Sequence, residues 1–115
     1  MPSVLIVDDH AGFRARARRM LEAEGWDVVG EARDAADGLR AATELQPDLV
    51  LLDVHLPDVD GLTAATTLTA RPGAPGVILT SSRDACDFED RIPSGALGFV
   101  TKGELSTVAL AALLP

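Results

Sequence analysis

Five polar residues stand close behind short apolar runs of the sequence, and their types suit the binding of a cation. They are Asp8 and Asp9 after the first run, Asp53 after the third, Thr80 after the fourth and Lys102 after the fifth. If the runs are strands of one parallel sheet, these carboxylates, the hydroxyl and the ammonium group meet at one edge. The spacing therefore predicts a single polar site built from distant parts of the chain.

Three carboxylates at one site repel one another unless a cation or a proton joins them. Two carboxylates about 4 Å apart repel by about 4 kcal/mol at an effective dielectric constant near ~20. Hard oxygen ligands favour Mg²⁺, Mn²⁺ or Ca²⁺, and few protein ligands with several waters suit Mg²⁺ best. Lys102 is the only lysine of the chain and neutralises one charge, which leaves the rest for a metal ion.

The apolar runs are typical of strands in a parallel sheet. Residues 4–7, 49–52 and 77–79 are continuous stretches of valine, leucine and isoleucine, as in strands that are buried on both faces. Residues 28–29 and 97–100 are weaker strand candidates. Helical patterns alternate with these runs, so right-handed crossovers and helices on both faces are expected. The predicted fold class is α/β, a doubly wound (βα)₅ three-layer sandwich.

Amphipathic patterns between the runs predict the first three helices. The stripe of the first helix comprises Phe13, Ala17, Met20 and Leu21. The second helix is predicted to begin at Asp34, a good N-cap, and to end before Pro47. The third is predicted to begin after Gly61.

The C-terminal helices carry weaker signals. Residues 83–91 have a helical composition, but Pro93 and Gly95 shorten the segment, so a short or frayed fourth helix is expected. The last helix is expected over about residues 104–114. Its core stripe is predicted to be Leu105, Val108, Ala109 and Ala112. Leu110 and Leu114 fall partly outside this stripe, and this surplus apolar surface indicates a homodimer contact, a different partner or a truncated chain.

Composition excludes several classes of function. The 115 residues suffice for one domain, and a net charge of −8 makes direct nucleic-acid binding by it a poor hypothesis. Cys86 is the only cysteine, which excludes an internal disulfide and a cysteine zinc cluster, and we expect it to be inert. No signal peptide is recognisable, and no apolar run reaches the ~20 residues of a membrane span. We therefore expect a cytoplasmic protein.

Four segments together carry a resemblance to a known family. They are residues 7–9, 52–61, 78–80 and 98–102. The second segment reads Asp-x-x-x-Pro-x-x-Asp-Gly from Asp53 to Gly61, a specific signal when an acidic pair stands upstream. The whole chain resembles the receiver domain of bacterial two-component response regulators. The resemblance implies a flavodoxin-like fold with strand order 2-1-3-4-5 and one receiver domain over residues 1–115. No effector domain is expected within these residues.

The resemblance also implies the chemistry of the acidic site. Asp53 would be the phosphoacceptor, and a phosphohistidine of a sensor histidine kinase or phosphotransfer protein would be the donor. Asp9, Asp53 and the backbone carbonyl of His55 would hold Mg²⁺. Asp8 would contribute mainly through water.

The resemblance further implies a switch that an output partner reads. Thr80 would bond a phosphoryl oxygen after modification, and Lys102 would pair with another. Phe99, three residues before the lysine, would swing inward as the hydroxyl moves. His55 and Ser82 would line the path of hydrolytic water and tune the lifetime of the phosphate.

Some residues depart from the family pattern or have ordinary roles. Gly103 stands where the family usually has a proline after the lysine. His10 is expected to cap the first helix or to face solvent. Asp58 and Asp60 are expected to prepare the turn at Gly61 and not to be ligands.

Three alternative functions remain open. An aspartate-nucleophile phosphatase would need a second acid where His55 stands. A flavodoxin-like cofactor carrier would need a loop rich in glycine, serine and threonine after the first strand, where Asp8 and Asp9 would repel a phosphate. A phosphorylation-independent interaction module would keep the fold without the chemistry.

Overall fold

The computed structural model describes residues 2–82 and 91–114 as a parallel sheet with helices on both faces. Its strands are β1 (Ser3–Val7), β2 (Asp27–Ala32), β3 (Leu49–Asp53), β4 (Gly76–Ser81) and β5 (Gly98–Thr101). They lie in the order β2-β1-β3-β4-β5, all parallel. The predicted fold class and strand order are confirmed, and the two weaker strand candidates are the edge strands β2 and β5.

Four helices lie in the described part of the chain. They are α1 (Ala11–Ala23), α2 (Ala35–Leu45), α3 (Gly61–Thr69) and α4 (Thr107–Leu113). The Asp34 side chain accepts a hydrogen bond from the Asp37 N–H and caps α2, as predicted. The short helix expected within 83–95 falls largely on residues 83–90, which lie outside the described residues, as does Cys86. None of the described helices is long and apolar enough to cross a lipid bilayer.

Alternate residues of each central strand feed two separate cores. In β1, Val4 and Ile6 pack with α1 and α4, whereas Leu5 and Val7 pack with α2 and α3. This alternation follows from the two-residue period of a strand and explains why the runs are apolar throughout. The sheet is thus held rigidly from both sides, and its carboxyl edge provides a fixed platform for the polar residues.

The last helix differs from the prediction in both its start and its buried face. Residues 102–104 form a separate 3₁₀ turn, and α4 begins only after Ser106, whose hydroxyl accepts the Ala109 N–H. The predicted core stripe is half wrong: Leu105 and Ala109 pack against the core, but Val108 is 79% exposed and Ala112 is exposed, whereas Leu110 is fully buried. Leu113 packs partly against the same core. Burying leucines removes more apolar area from water than burying valine and alanine, and this decides which face turns inward.

Gly61 closes the loop between β3 and α3 by an approach that no side chain permits. A Cβ atom at this position would lie 2.0 Å from the backbone oxygen of Asp53. The Gly61 N–H donates to the Val54 carbonyl, which holds the loop in this close arrangement. The glycine of the motif is therefore required by the backbone that carries Asp53.

Replacing Gly61 by alanine should destabilise the protein because the new methyl group must displace this backbone. We expect Gly61→Ala to lower the free energy of unfolding by about 2 kcal/mol in denaturant titrations. Gly12→Ala is the matched control, because Gly12 lies in α1 and a Cβ atom at this position would have no other atom within 4 Å. Alanine is the better helix former, so the control should be neutral or slightly stabilising. Equal stability of the two variants would contradict the steric argument.

Candidate functional site

Asp8 and Asp53 are neighbours because of the register between the two central strands. Val7 pairs with Leu52 across β1 and β3, so the next residue of each chain segment is a carboxylate at the carboxyl edge. Both carboxylates are buried, with exposed fractions of 1% for Asp8 and 2% for Asp53. Parallel doubly wound sheets place their sites at this crevice, where the strand order reverses. The structure brings these two predicted residues together.

Asp9 and His10 complete an acidic pocket at the mouth of the crevice. One ligand atom from each of Asp8, Asp9, His10 and Asp53 lies within 4.8 Å of all the others. The oxygen donors of the three carboxylates fit a hard divalent cation such as Mg²⁺. His10 stands at the N-cap position of α1, as expected, but its ring nitrogen contacts the acidic pair.

Lys102 reaches both buried carboxylates from the end of β5. Its Nζ lies 2.7 Å from Asp8 Oδ2 and 3.5 Å from Asp53 Oδ2, and its side chain is 17% exposed. The same Nζ lies 4.6 Å from the centroid of the Phe13 ring on α1, a cation–π contact. The ammonium group is thereby held over the carboxylates between two elements of the fold.

The charge state of Asp53 reflects competition between burial and Lys102. Burial, together with the neighbouring Asp8 carboxylate, raises the pKa of Asp53 above its ordinary value. Lys102 and a hydrogen bond from the His55 N–H lower this pKa in part. A buried carboxylate with a raised pKa and a specific cationic partner is typical of functional sites.

Thr80 and Phe99 lie on the neighbouring strands. Thr80 pairs directly with Asp53 across β3 and β4 and is buried. Within residues 2–82 and 91–114, its hydroxyl oxygen has no hydrogen-bond partner. Phe99 of β5 pairs with Leu79 of β4 and is partly buried against the core on the α2–α3 face. The switch role of the two residues stays a prediction.

His55 and Ser82 lie two residues after Asp53 and Thr80, respectively, at the carboxyl edge of the sheet. Both are exposed. The His55 backbone N–H donates to Asp53 Oδ1 over 3.2 Å, so this loop folds back over the carboxylate. Their predicted effect on hydrolytic water stays a prediction.

Three contacts around the site were not foreseen from the sequence. Phe13 was assigned only to the core stripe, whereas its ring also supports Lys102. Arg14 Nη1 donates to the backbone carbonyl of Asp8 over 2.6 Å and its Nε donates to Glu31. The arginines lie beside the apolar stripe, a pattern that indicates exposure and does not identify a partner.

The third unforeseen contact is made by Asp58, which joins the loop after Asp53 to the start of α2. Its carboxylate accepts the backbone N–H groups of Ala35 and Ala36, at 2.9 and 3.0 Å, and so caps α2 from a distance. These hydrogen bonds lower the pKa of Asp58 below its ordinary value. Asp60, by contrast, caps its own helix through the Leu62 N–H, close to the predicted turn role.

Asp58→Asn should lower the melting temperature at neutral pH, because the amide replaces a charged acceptor at the positive end of α2. A carboxyl group whose pKa is lowered by folding stabilises the fold at pH values above 3.8, its ordinary pKa. This stabilisation is lost as the pH falls through the lowered pKa of the folded state. Thermal melts should therefore show a gap between wild type and variant that shrinks in acid. A gap that is absent at neutral pH, or constant with pH, would contradict the assignment.

Comparison with known proteins agrees with this geometry. The response regulator receiver domain model matches residues 4–113. The response regulator GacA of Pseudomonas aeruginosa is 42% identical over 110 residues, which cover 90% of this chain and 49% of that protein. The transcriptional regulatory protein PdtaR of Mycobacterium tuberculosis is 36% identical over 86% of this chain and 48% of its own length. The chain thus spans about half the length of these relatives.

Solved structures show the same architecture. The signal receiver domain of the regulator NarL from Mycobacterium tuberculosis superposes with a TM-score of 0.85 at 31% identity, covering 97% of this chain and 95% of that one. RcsB from Salmonella enterica serovar Typhimurium, bound to promoter rprA in the presence of phosphomimetic BeF₃⁻, has a TM-score of 0.85 at 26% identity and covers 98% of each chain. Sequence, strand order and site geometry agree, and the chain belongs to the response regulator receiver domain family.

Proposed function

We propose that this chain is a phosphoacceptor switch of a two-component phosphorelay. Asp53 accepts a phosphoryl group from a phosphohistidine in a Mg²⁺-dependent reaction, and a partner or output domain reads the resulting change. The observation that carries this proposal is the buried Asp53 carboxylate with Lys102 Nζ at 3.5 Å and a second buried carboxylate, Asp8, beside it. The single cysteine fits a reducing, cytoplasmic location.

The metal site of the proposal consists of oxygen donors. Asp9, Asp53 and the backbone carbonyl of His55 would hold Mg²⁺, with Asp8 acting mainly through water, and Mn²⁺ would be an alternative. When bound, the metal neutralises charge on the phosphoryl oxygens and aligns them for in-line transfer. The close contact of one donor atom from each of the three carboxylates supports this assignment.

Asp53 supplies the nucleophile. One carboxylate oxygen forms a bond to phosphorus while the bond from phosphorus to the donor's imidazole nitrogen breaks, and its electron pair returns to that nitrogen. Lys102 already lies within reach of this carboxylate and favours its ionised form against the effect of burial. The same ammonium group would then pair with a phosphoryl oxygen.

Phosphorylation would change the charge of the pocket and thereby the packing around it. It adds about −1.5 to −2 charges and three acceptor oxygens. The unpartnered hydroxyl of buried Thr80, paired in register with Asp53, is the nearest candidate donor from β4. A coupled rearrangement of Thr80 and Phe99 is the proposed link between the phosphate and the surface.

The donor is proposed to be a sensor histidine kinase or a phosphotransfer protein, and the reader a separate or covalently attached output. The exposed residues of α4 are apolar and include Val108, which is 79% exposed, and they are the proposed homodimer contact in place of Leu110 and Leu114. The net charge of −8 argues against direct nucleic-acid binding by this domain.

Incubation with acetyl phosphate and Mg²⁺ tests the proposal. The intact mass should increase by one phosphoryl group, chelation of the metal should prevent the gain, and hydroxylamine should reverse it, because acyl phosphates are labile to this nucleophile. Beryllofluoride with Mg²⁺ should raise the melting temperature. If neither a mass gain nor a thermal shift occurs, the phosphorylation-independent interaction module is the better description.

A further inference from the structure

His10 directs its imidazole toward the acidic pocket and does not cap its own helix. It occupies the N-cap position of α1, but its side chain makes no capping hydrogen bond. Its Nδ1 lies 3.1 Å from Asp8 Oδ1 and 3.1 Å from Asp9 Oδ1. The side chain is 67% exposed, so solvent and ions have access to this side of the pocket.

These separations match those between ligands of one metal ion. Neighbouring ligand atoms around an octahedral ion with bonds of ~2.1 Å lie about 3.0 Å apart. The ring nitrogen is therefore placed like a neighbouring ligand beside Asp9 Oδ1, which the proposed function assigns to the metal, and it also contacts Asp8 Oδ1. Asp53 supplies a further oxygen donor, because one ligand atom from each of the four residues lies within 4.8 Å of the others.

The imidazole Nδ1 lies within hydrogen-bond distance of Asp8 Oδ1, and both oxygens of that carboxylate also have other partners. Asp8 Oδ1 already accepts the backbone N–H of His10 at 2.8 Å, and Asp8 Oδ2 contacts Lys102 Nζ at 2.7 Å. The three carboxylates and Lys102 leave a net charge of −2 before the imidazole is counted. A divalent cation balances this charge, and a neutral imidazole can coordinate it without adding charge.

We infer that His10 is a nitrogen ligand of the pocket, which therefore prefers borderline first-row transition-metal ions such as Ni²⁺ and Co²⁺ to Mg²⁺. Imidazole nitrogen suits these ions, whereas Mg²⁺ prefers oxygen. The inference rests on the metal site of the proposed function and adds a donor to it. Mg²⁺ binding depends on the carboxylates, and tight binding of the other ions depends on His10 as well.

Calorimetric titration of the untagged chain with Ni²⁺ and with Mg²⁺ tests this inference in wild type, His10→Ala and His10→Asn. Both substitutions should weaken Ni²⁺ binding by at least about tenfold, because a nitrogen ligand is lost. Mg²⁺ affinity should change by less than about threefold, because its oxygen ligands remain. The asparagine variant retains a polar side chain beside Asp8, so it separates ligation from hydrogen bonding.

Proton spectra of the Co²⁺-loaded protein add a direct readout. An exchangeable imidazole signal shifted by the paramagnetic ion should appear in wild type and be absent from both variants. Persistence of that signal without His10, unchanged Ni²⁺ affinity, or equal losses for Ni²⁺ and Mg²⁺ would each overturn the inference. A wild-type protein that binds neither ion would contradict the proposed metal site itself, whereas normal Mg²⁺ binding with no effect of His10 would contradict only this inference.

Discussion

An Asp53→Asn protein should gain no phosphoryl group from acetyl phosphate or from a phosphorylated histidine kinase. The amide lacks the nucleophilic carboxylate, and the other buried carboxylate that contacts Lys102, Asp8, is proposed to act at the metal through water and not as a nucleophile. Intact-mass measurement over a time course is the assay. Asp58→Asn makes the same chemical change in the same loop, and this variant should still be labelled. Labelling of both variants would contradict the assignment of Asp53.

The same Asp53→Asn substitution should raise the melting temperature in metal-free buffer at neutral pH. Burial and the Asp8 carboxylate raise the pKa of Asp53, so the ionised form of Asp53 destabilises the folded state. A carboxyl group whose pKa is higher in the folded state stabilises the fold at pH values below its pKa in the unfolded state. This stabilisation is lost as the pH rises through the pKa of the folded state. The amide does not ionise and so avoids this loss of stability. The difference in melting temperature between variant and wild type should therefore shrink as the pH is lowered. A variant that melts lower than wild type at neutral pH would contradict this electrostatic account.

Lys102→Met should affect both stability and chemistry. The substitution leaves two buried carboxylates without the ammonium group that lies 2.7 Å from one and 3.5 Å from the other. Removing one member of such a buried ion pair is expected to lower the free energy of unfolding by about 3 kcal/mol in metal-free buffer. Labelling should slow by at least about a hundredfold, because a charge-stabilising donor is lost.

Arg16→Met is the matched control for Lys102→Met, since it removes an exposed cation from α1. Its effect on stability should be within about 0.5 kcal/mol. The double variant Lys102→Met/Asp53→Asn should recover part of the stability lost in Lys102→Met, since one of the uncompensated charges is gone. If Lys102→Met unfolds like the control, the ammonium group does not stabilise the carboxylates.

The sheet and the meeting of polar residues at its carboxyl edge could be predicted from the sequence because both depend on local signals. Continuous apolar runs indicate parallel strands, and parallel strands share a carboxyl edge. Asp8, Asp53 and Lys102 therefore had to converge once the runs were recognised, and the register of β1 with β3 confirms the meeting of the two carboxylates.

Other features depend on contacts that no local pattern contains. Two stripes of α4 have helical spacing, and only packing against the sheet decides that Leu110 is buried and Val108 exposed. Asp58 caps a helix 22 residues away in sequence through the Ala36 N–H, a contact set by how two loops meet. The orientation of His10 toward the carboxylates likewise follows from where α1 begins relative to the crevice.

Chemical mapping of the phosphorylated residue tests the central claim most directly. The chain is incubated with acetyl phosphate and Mg²⁺, reduced with borohydride, which converts an aspartyl phosphate to homoserine, and digested for mass spectrometry. The account predicts homoserine at position 53 and at no other aspartate. Homoserine at a different aspartate, or a phosphoryl gain without any homoserine, would contradict it.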